Sequence, residues 1–148
     1  MILWLNGAFG AGKTQTAYAL QRRLPGSYVY DPENAGFFIA RNLPGPLEEG
    51  DFQDYPMWRE FNYRMLEYSA GRYGGDIIVP MTLTNRAYYD ELVGGLSRSH
   101  EVRHFILCAE KKTLLRRLAY RLEGRRSGGA RQIDRCLRAF DRDIPGVK

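Results

Sequence analysis

Four short apolar runs punctuate the chain at intervals that a helix would fill: Ile2-Leu3-Trp4-Leu5, Tyr28-Val29-Tyr30, Ile77-Ile78-Val79-Pro80, and Val102 to Cys108. Runs of this length bounded by turn residues predict buried strands over 2–6, 28–30, 77–80 and 102–108. Between them the pattern takes a helical period. It predicts helices over 13–24 (stopped by Pro25-Gly26), 55–70, 85–97, 111–123 and 131–141. A Gly- and Pro-rich loop around 43–46 precedes the second of these, and a Gly- and Arg-rich loop, 124–130, separates the last two. Strands alternating with helices form βαβ units, and so a parallel sheet with right-handed crossovers. The expected class is α/β, with three α/β/α layers in a single domain over 1–148. The last six residues, Asp143 to Lys148, read as the approach to another strand. A four-stranded parallel sheet stopping there would leave an apolar edge open, so a fifth strand and a closing helix are expected to be missing from this chain.

Chemistry enters directly after the first apolar run. Gly7-Ala8-Phe9-Gly10-Ala11-Gly12-Lys13-Thr14 reads G-x-x-x-x-G-K-T, between a strand and a helix. In that context the pattern is a phosphate-binding loop, which makes the expected fold a P-loop NTPase. Small residues let successive backbone N–H groups converge on an anion, and the following helix aims its positive end at the same point. Lys13 would reach the β- and γ-phosphates of ATP, and the Thr14 hydroxyl would ligate Mg²⁺. The bland alternative is a Gly-rich turn with a solvated lysine.

Composition narrows the class without adding to it. Of the 148 residues, 44% are hydrophobic and 13% aromatic, enough for a packed core. No apolar run approaches the ~18 residues of a membrane span. The N-terminus enters a strand at once and lacks a basic region, unlike a signal peptide. Two cysteines, Cys108 and Cys136, fit a reducing cytoplasm better than a disulfide or a metal site. The net charge of +5 is local: residues 116–142 hold nine arginines against Glu123, Asp134 and Asp141, so that stretch carries +6 and the remainder −1. Nucleic acid or an anionic membrane face would suit such a patch. A polyphosphate ligand suits it equally, and no nucleic-acid partner is expected.

Other side chains are candidates by position. Asp31 ends the second apolar run eighteen residues after Lys13, where a parallel sheet delivers it beside the phosphate loop. There it can act as general base toward a hydroxyl or hold a Mg²⁺-bound water, and its structural alternative is a turn or helix cap before Pro32. The third run ends in Pro80-Met81-Thr82, without a carboxylate. Residues 33–73 form the expected acceptor-binding insert. Within it Tyr55, Trp58 and Asn62 share one helical face; that face can stack on a flat ring while Arg59 meets an anionic or hydroxyl-rich group, or it can be core. Residues 121–131, with Arg121 and Arg125, resemble a glycine-hinged lid whose arginines meet the transferring phosphate; the alternative is a solvated basic loop.

Several stretches resemble the tunicamycin resistance proteins of bacteria: Leu5 to Ala17, Tyr28 to Glu33, Asp51 to Tyr63, Ile78 to Thr82, and Arg131 to Cys136. The resemblance spans nearly the whole chain. It implies a P-loop fold of nucleoside- or shikimate-kinase type, ATP binding at residues 7–14, and resistance to a nucleoside antibiotic that mimics a UDP-sugar. Members of the family continue past the position of Lys148 with a further strand and helix, and they are described as membrane-associated. The resemblance therefore implies a cytoplasmic protein or one attached peripherally to the inner membrane face. Two functions follow: an ATP-dependent kinase acting on the drug, or a protein that captures the drug in an ATP-dependent way without altering it.

Overall fold

Four parallel strands form one sheet in the order β2–β3–β1–β4: β1 is Ile2–Gly7, β2 Tyr28–Val29, β3 Ile77–Pro80 and β4 Val102–Leu107. The structure is a computed structural model and describes residues 1–120 and 129–146. Helices α1 (Lys13–Arg23), α2 (Glu33–Arg41), α3 (Pro56–Ala70), α4 (Arg86–Tyr89), α5 (Lys111–Tyr120) and α6 (Gly129–Arg142) connect and cover the strands. α4 runs on into a π-helical turn, Asp90–Gly94, where a plain helix was expected.

β1 and β3 are buried along their whole length, as strands covered on both faces must be. Alternate residues of β1 face opposite ways. Ile2 and Trp4 pack with Trp58, Leu66, Val79, Leu83 and Leu92 on one side, while Leu3 and Leu5 pack with Ala17 and Ile78 on the other. A further cluster joins Ile106 of β4 to Leu114, Leu118, Ile133 and Phe140 of the last two helices. This α/β/α arrangement matches the class read from the sequence.

The helix α2 lies where sequence reading placed none. It begins at the turn the alternative reading of Asp31 anticipated: Asp31 Oδ1 accepts the Glu33 N–H at 3.0 Å. Past the end of β3, the fully buried Asn6 side chain carries the pairing further. Its Nδ2 donates to Leu83 O, and its Oδ1 accepts the N–H groups of Leu83 and Gly7, each at 2.9 Å. A buried amide bonded through both its nitrogen and its oxygen is a rigid joint between β1, the loop that follows it and the segment after β3.

Candidate nucleotide and acceptor site

The loop from Gly7 to Thr14 leaves β1 and turns into α1. Gly10 and Gly12 adopt φ 83° and 99°, a region that side chains avoid. At Gly10 space is closed as well: a Cβ would stand 3.2 Å from the Leu114 carbonyl oxygen and 3.3 Å from Leu118 Cγ, because α5 packs against the loop there. Gly12 is the N-cap of α1, with no side-chain cap and no acidic residue in the first turn. The amides of that turn are therefore available to an anion, and the helix dipole favours one.

Lys13 folds over the loop. Its Nζ donates to Gly7 O at 2.9 Å and Ala8 O at 3.2 Å, and it stands 5.5 Å from the Phe9 ring centre. Gly7 O also accepts the Thr82 hydroxyl at 2.9 Å, so the end of β3 supports the loop with a hydroxyl. Thr14 is exposed in the first turn of α1. A loop whose turns at 10 and 12 require glycine, followed by Lys and Thr at the start of a helix, suits the phosphates and Mg²⁺ of a nucleotide.

Asp31 stands on the connection from β2 to α2, and residues on either side of it are tied to one stretch of α3. The Tyr30 hydroxyl donates to Asn62 Oδ1 at 2.7 Å, and Trp58 Nε1 donates to Pro32 O at 2.9 Å. Asn62 Nδ2 returns to Trp58 O at 2.8 Å. The face formed by Tyr55, Trp58 and Asn62 is thus real but turned inward. Trp58 and Asn62 have no accessible surface, and they meet the residues flanking Asp31, so the Trp58 ring offers no open face for a ligand to stack on. Arg59 is likewise engaged: Nε donates to Glu91 Oε2 and Nη1 to Gln53 O, each at 2.7 Å, with the guanidinium 4.0 Å from the Tyr88 ring centre.

Sequence reasoning passed over two residues here. The Glu33 carboxyl is pushed above its ordinary range by burial first and by Asp31 next, with Lys13 pulling it back and Asp51 pushing it up. Asp31, Lys13 and Asp51 therefore each lie within electrostatic reach of Glu33. Arg117 of α5 donates to Gly10 O at 3.3 Å and Ala11 O at 3.4 Å. Only its place one turn before Arg121 could have singled it out among nine arginines. Arg121 and Arg125 themselves lie outside the described residues, as does most of the expected lid, 121–131. Farther round, Asp51 accepts from Gln53 and forms an ion pair with Arg135 of α6 at 2.7 Å, while Gln53 Oε1 accepts the Thr84 N–H.

Residues 2–142 match the family model described as an AAA domain. The chain is also similar to the solved tunicamycin resistance protein of Deinococcus radiodurans: 36% identity, TM-score 0.76, covering 95% of this chain and 79% of that one. The chain belongs to the tunicamycin resistance protein family. As a member of that family it is a nucleotide-binding, kinase-like protein. A sugar kinase from Janibacter sp. (17% identity, TM-score 0.64, 99% of this chain and 79% of that one) shares the fold. So does shikimate kinase from Bacteroides thetaiotaomicron (21%, 0.56, 95% and 77%). Among curated protein sequences no match is found. Among the described residues no helix is long and apolar enough to cross a membrane.

Proposed function

We propose that this protein is an ATP-dependent phosphotransferase acting on a hydroxyl of tunicamycin or a related nucleoside, and that it confers resistance in that way. The observation that carries the reading is Asp31, a carboxylate at the start of α2 whose flanking residues are both anchored to α3, while Asp31 and Lys13 each act on the Glu33 carboxyl. Mg·ATP supplies the phosphoryl group. Residues 7–14 would hold its phosphates, Lys13 would leave the loop carbonyls for them, and Thr14 would ligate Mg²⁺. Asp31 Oδ1 caps α2, leaving Oδ2 to take the proton as the acceptor oxygen bonds phosphorus and the bond to the departing ADP oxygen breaks. Alternatively Asp31 would help to hold Mg²⁺ through a water. Arg121 and Arg125 neutralise charge on the transferring group. Trp58 and Asn62 serve the acceptor side by fixing the chain around Asp31, and Arg59 does so through Gln53 and Glu91. Such transfers depend on positioning and charge stabilisation more than on covalent chemistry. The reaction belongs in the cytoplasm, and any attachment to the inner membrane face would use the arginines of 116–142.

A second reading, capture of the drug without chemistry, draws support from Thr82. Beside the loop, β3 leads to a hydroxyl spent on Gly7 O, where a carboxylate would favour a metal. Mass spectrometry of tunicamycin incubated with protein and Mg·ATP separates the two. A product heavier by one phosphoryl group, absent with Lys13→Ala and Asp31→Asn, establishes transfer. Unaltered drug retained only in the presence of ATP establishes capture.

A further inference from the structure

We propose that Arg135 is a positioning residue: through Asp51 it ties the phosphate loop to the helix that begins at Asp31, so that nucleotide bound at one raises the affinity for drug at the other. This rests on the two binding events proposed above. One end of the tie is α6, whose buried face packs on the loop. Ile133, Cys136 and Phe140 share a cluster with Ala8, and Phe9 and Ala11 pack against it. Burial pushes the Cys136 thiol up; the charges of Lys13 and then Arg135 pull it back, Asp51 pushes it up, and the Phe9 backbone amide pulls it back. Lys13, Arg135 and Asp51 thus each lie within electrostatic reach of Cys136. The other end is the turn at 51–54. Arg135 donates from Nη2 to Asp51 Oδ2 at 2.7 Å. The Asp51 side chain is only 10% exposed, against 47% for Arg135, and it is held in place. Its Oδ2 also accepts Gln53 Nε2 at 2.8 Å, and its Oδ1 accepts the Gln53 N–H at 3.3 Å. Gln53, itself buried, accepts the Thr84 N–H beyond β3. Phe52, between Asp51 and Gln53, stacks edge-on against Phe37 of α2 and closes on Gly36 of the same helix.

A surface ion pair contributes little by itself. This one matters for what it joins, a helix packed on the phosphate loop and a turn packed on α2. The part that changes is Lys13. Its Nζ bonds the carbonyls of Gly7 and Ala8, and it would leave them for phosphate. Ala8 is buried against α6, so a shift of its backbone reaches the helix, because a close-packed interior transmits displacement. Arg135 carries that shift to Asp51, and Phe52 carries it to α2, whose first turn Asp31 caps. The coupling works equally in the other direction, since each ligand must change the affinity of the other by the same factor.

The test titrates the full chain with tunicamycin, alone and with Mg²⁺ and a non-hydrolysable ATP analogue, and reads the ratio of the two dissociation constants. In the wild type the drug should bind about fivefold or more tighter with the analogue present, and in Arg135→Gln less than about twofold tighter. Drug alone and analogue alone should bind that variant as they bind the wild type. Arg135→Lys keeps the charge and a single bonding nitrogen, and should restore most of the ratio. Asp51→Asn should lose it, and the double variant with Arg135→Gln should lose no more than either alone. Arg135 is half exposed, so its variants should fold, and Asp51→Asn repeats the test if they do not. A ratio retained in Arg135→Gln overturns the tie. Weakened binding of each ligand on its own also overturns it, and leaves Arg135 a structural role only. Equal drug affinity with and without analogue in the wild type overturns the tie and leaves phosphoryl transfer to be judged by its product. A ratio lost in Arg135→Gln, with no phosphorylated drug from the wild type, supports the tie and overturns transfer. No binding of either ligand overturns both.

Discussion

The Tyr30 hydroxyl donates to Asn62 Oδ1 across 2.7 Å, tying the residue before Asp31 to the middle of α3. Asn62 is fully buried and spends its Nδ2 on Trp58 O, which leaves its Oδ1 to the half-buried Tyr30 hydroxyl. The bond should be visible in a double-mutant cycle. Asn62→Ala strands the hydroxyl and should cost about 1–3 kcal/mol, and Tyr30→Phe about 1 kcal/mol. The double variant should cost less than the sum, with a coupling near 1 kcal/mol in urea unfolding. Additive single effects would show that the bond contributes nothing.

The same hydroxyl sets an alkaline limit. Burial, then the charges of Asp31 and Tyr28, push the Tyr30 phenol up to about 12, against about 10 in an unfolded chain. The folded value is the higher, so this contribution to stability is whole below pH 10 and is lost as pH rises through 12. Unfolding free energy should fall between pH 10 and 12, and Tyr30→Phe should fall less steeply in that window. Identical slopes in the two proteins would remove Tyr30 as the cause.

The turn at 7–14 was legible because its geometry is set locally. Gly7, Gly10, Gly12, Lys13 and Thr14 carry their spacing and flanking elements with them, and the parallel sheet followed from the alternation of strands and helices, though not its order β2–β3–β1–β4. What was hidden depends on distant partners. Helical spacing grouped Tyr55, Trp58 and Asn62 correctly but could not say that Tyr30 and Pro32 cover them. Arg59 looked like a ligand group, and its partner Glu91 is thirty-two residues away. Arg117 meets the loop only because α5 docks on Gly10, 107 residues back in sequence. In α2, the glycine at 36 and the adjacent Phe37-Phe38 blur the helical period.

Arg117 offers a test of whether α5 tunes the phosphate loop. Its bonds to Gly10 O and Ala11 O are long, at 3.3 and 3.4 Å, and the residue is exposed. Arg117→Met should therefore change global stability by less than about 0.5 kcal/mol. If the guanidinium steadies the loop in its anion-binding shape, affinity for an ATP analogue should drop about three- to tenfold, or roughly 0.7–1.4 kcal/mol. Titration and thermal melting of the same variant separate the outcomes. A marked loss of melting temperature with unchanged affinity would make Arg117 a packing residue only.

Gly36 tests the joint between α2 and the turn at 51–54. Alanine is the better helix former by about 1 kcal/mol, and Gly36 has ordinary helical backbone, so the substitution should stabilise an isolated helix. Here the added methyl would enter the Phe52 ring. That ring stacks edge-on against Phe37 at 5.1 Å. Its backbone neighbours are held as well, Asp51 by Arg135 and Gln53 by Thr84, so Phe52 can retreat only by disturbing both. Overpacking of this kind costs about 1–3 kcal/mol and should outweigh the propensity gain, leaving Gly36→Ala less stable by about 1–2 kcal/mol in urea unfolding. Gly45→Ala, whose methyl would meet nothing within 4 Å, should stay within about 0.5 kcal/mol. A stabilised Gly36→Ala would mean that Phe52 moves freely. The 51–54 turn would then not brace the helix that begins at Asp31.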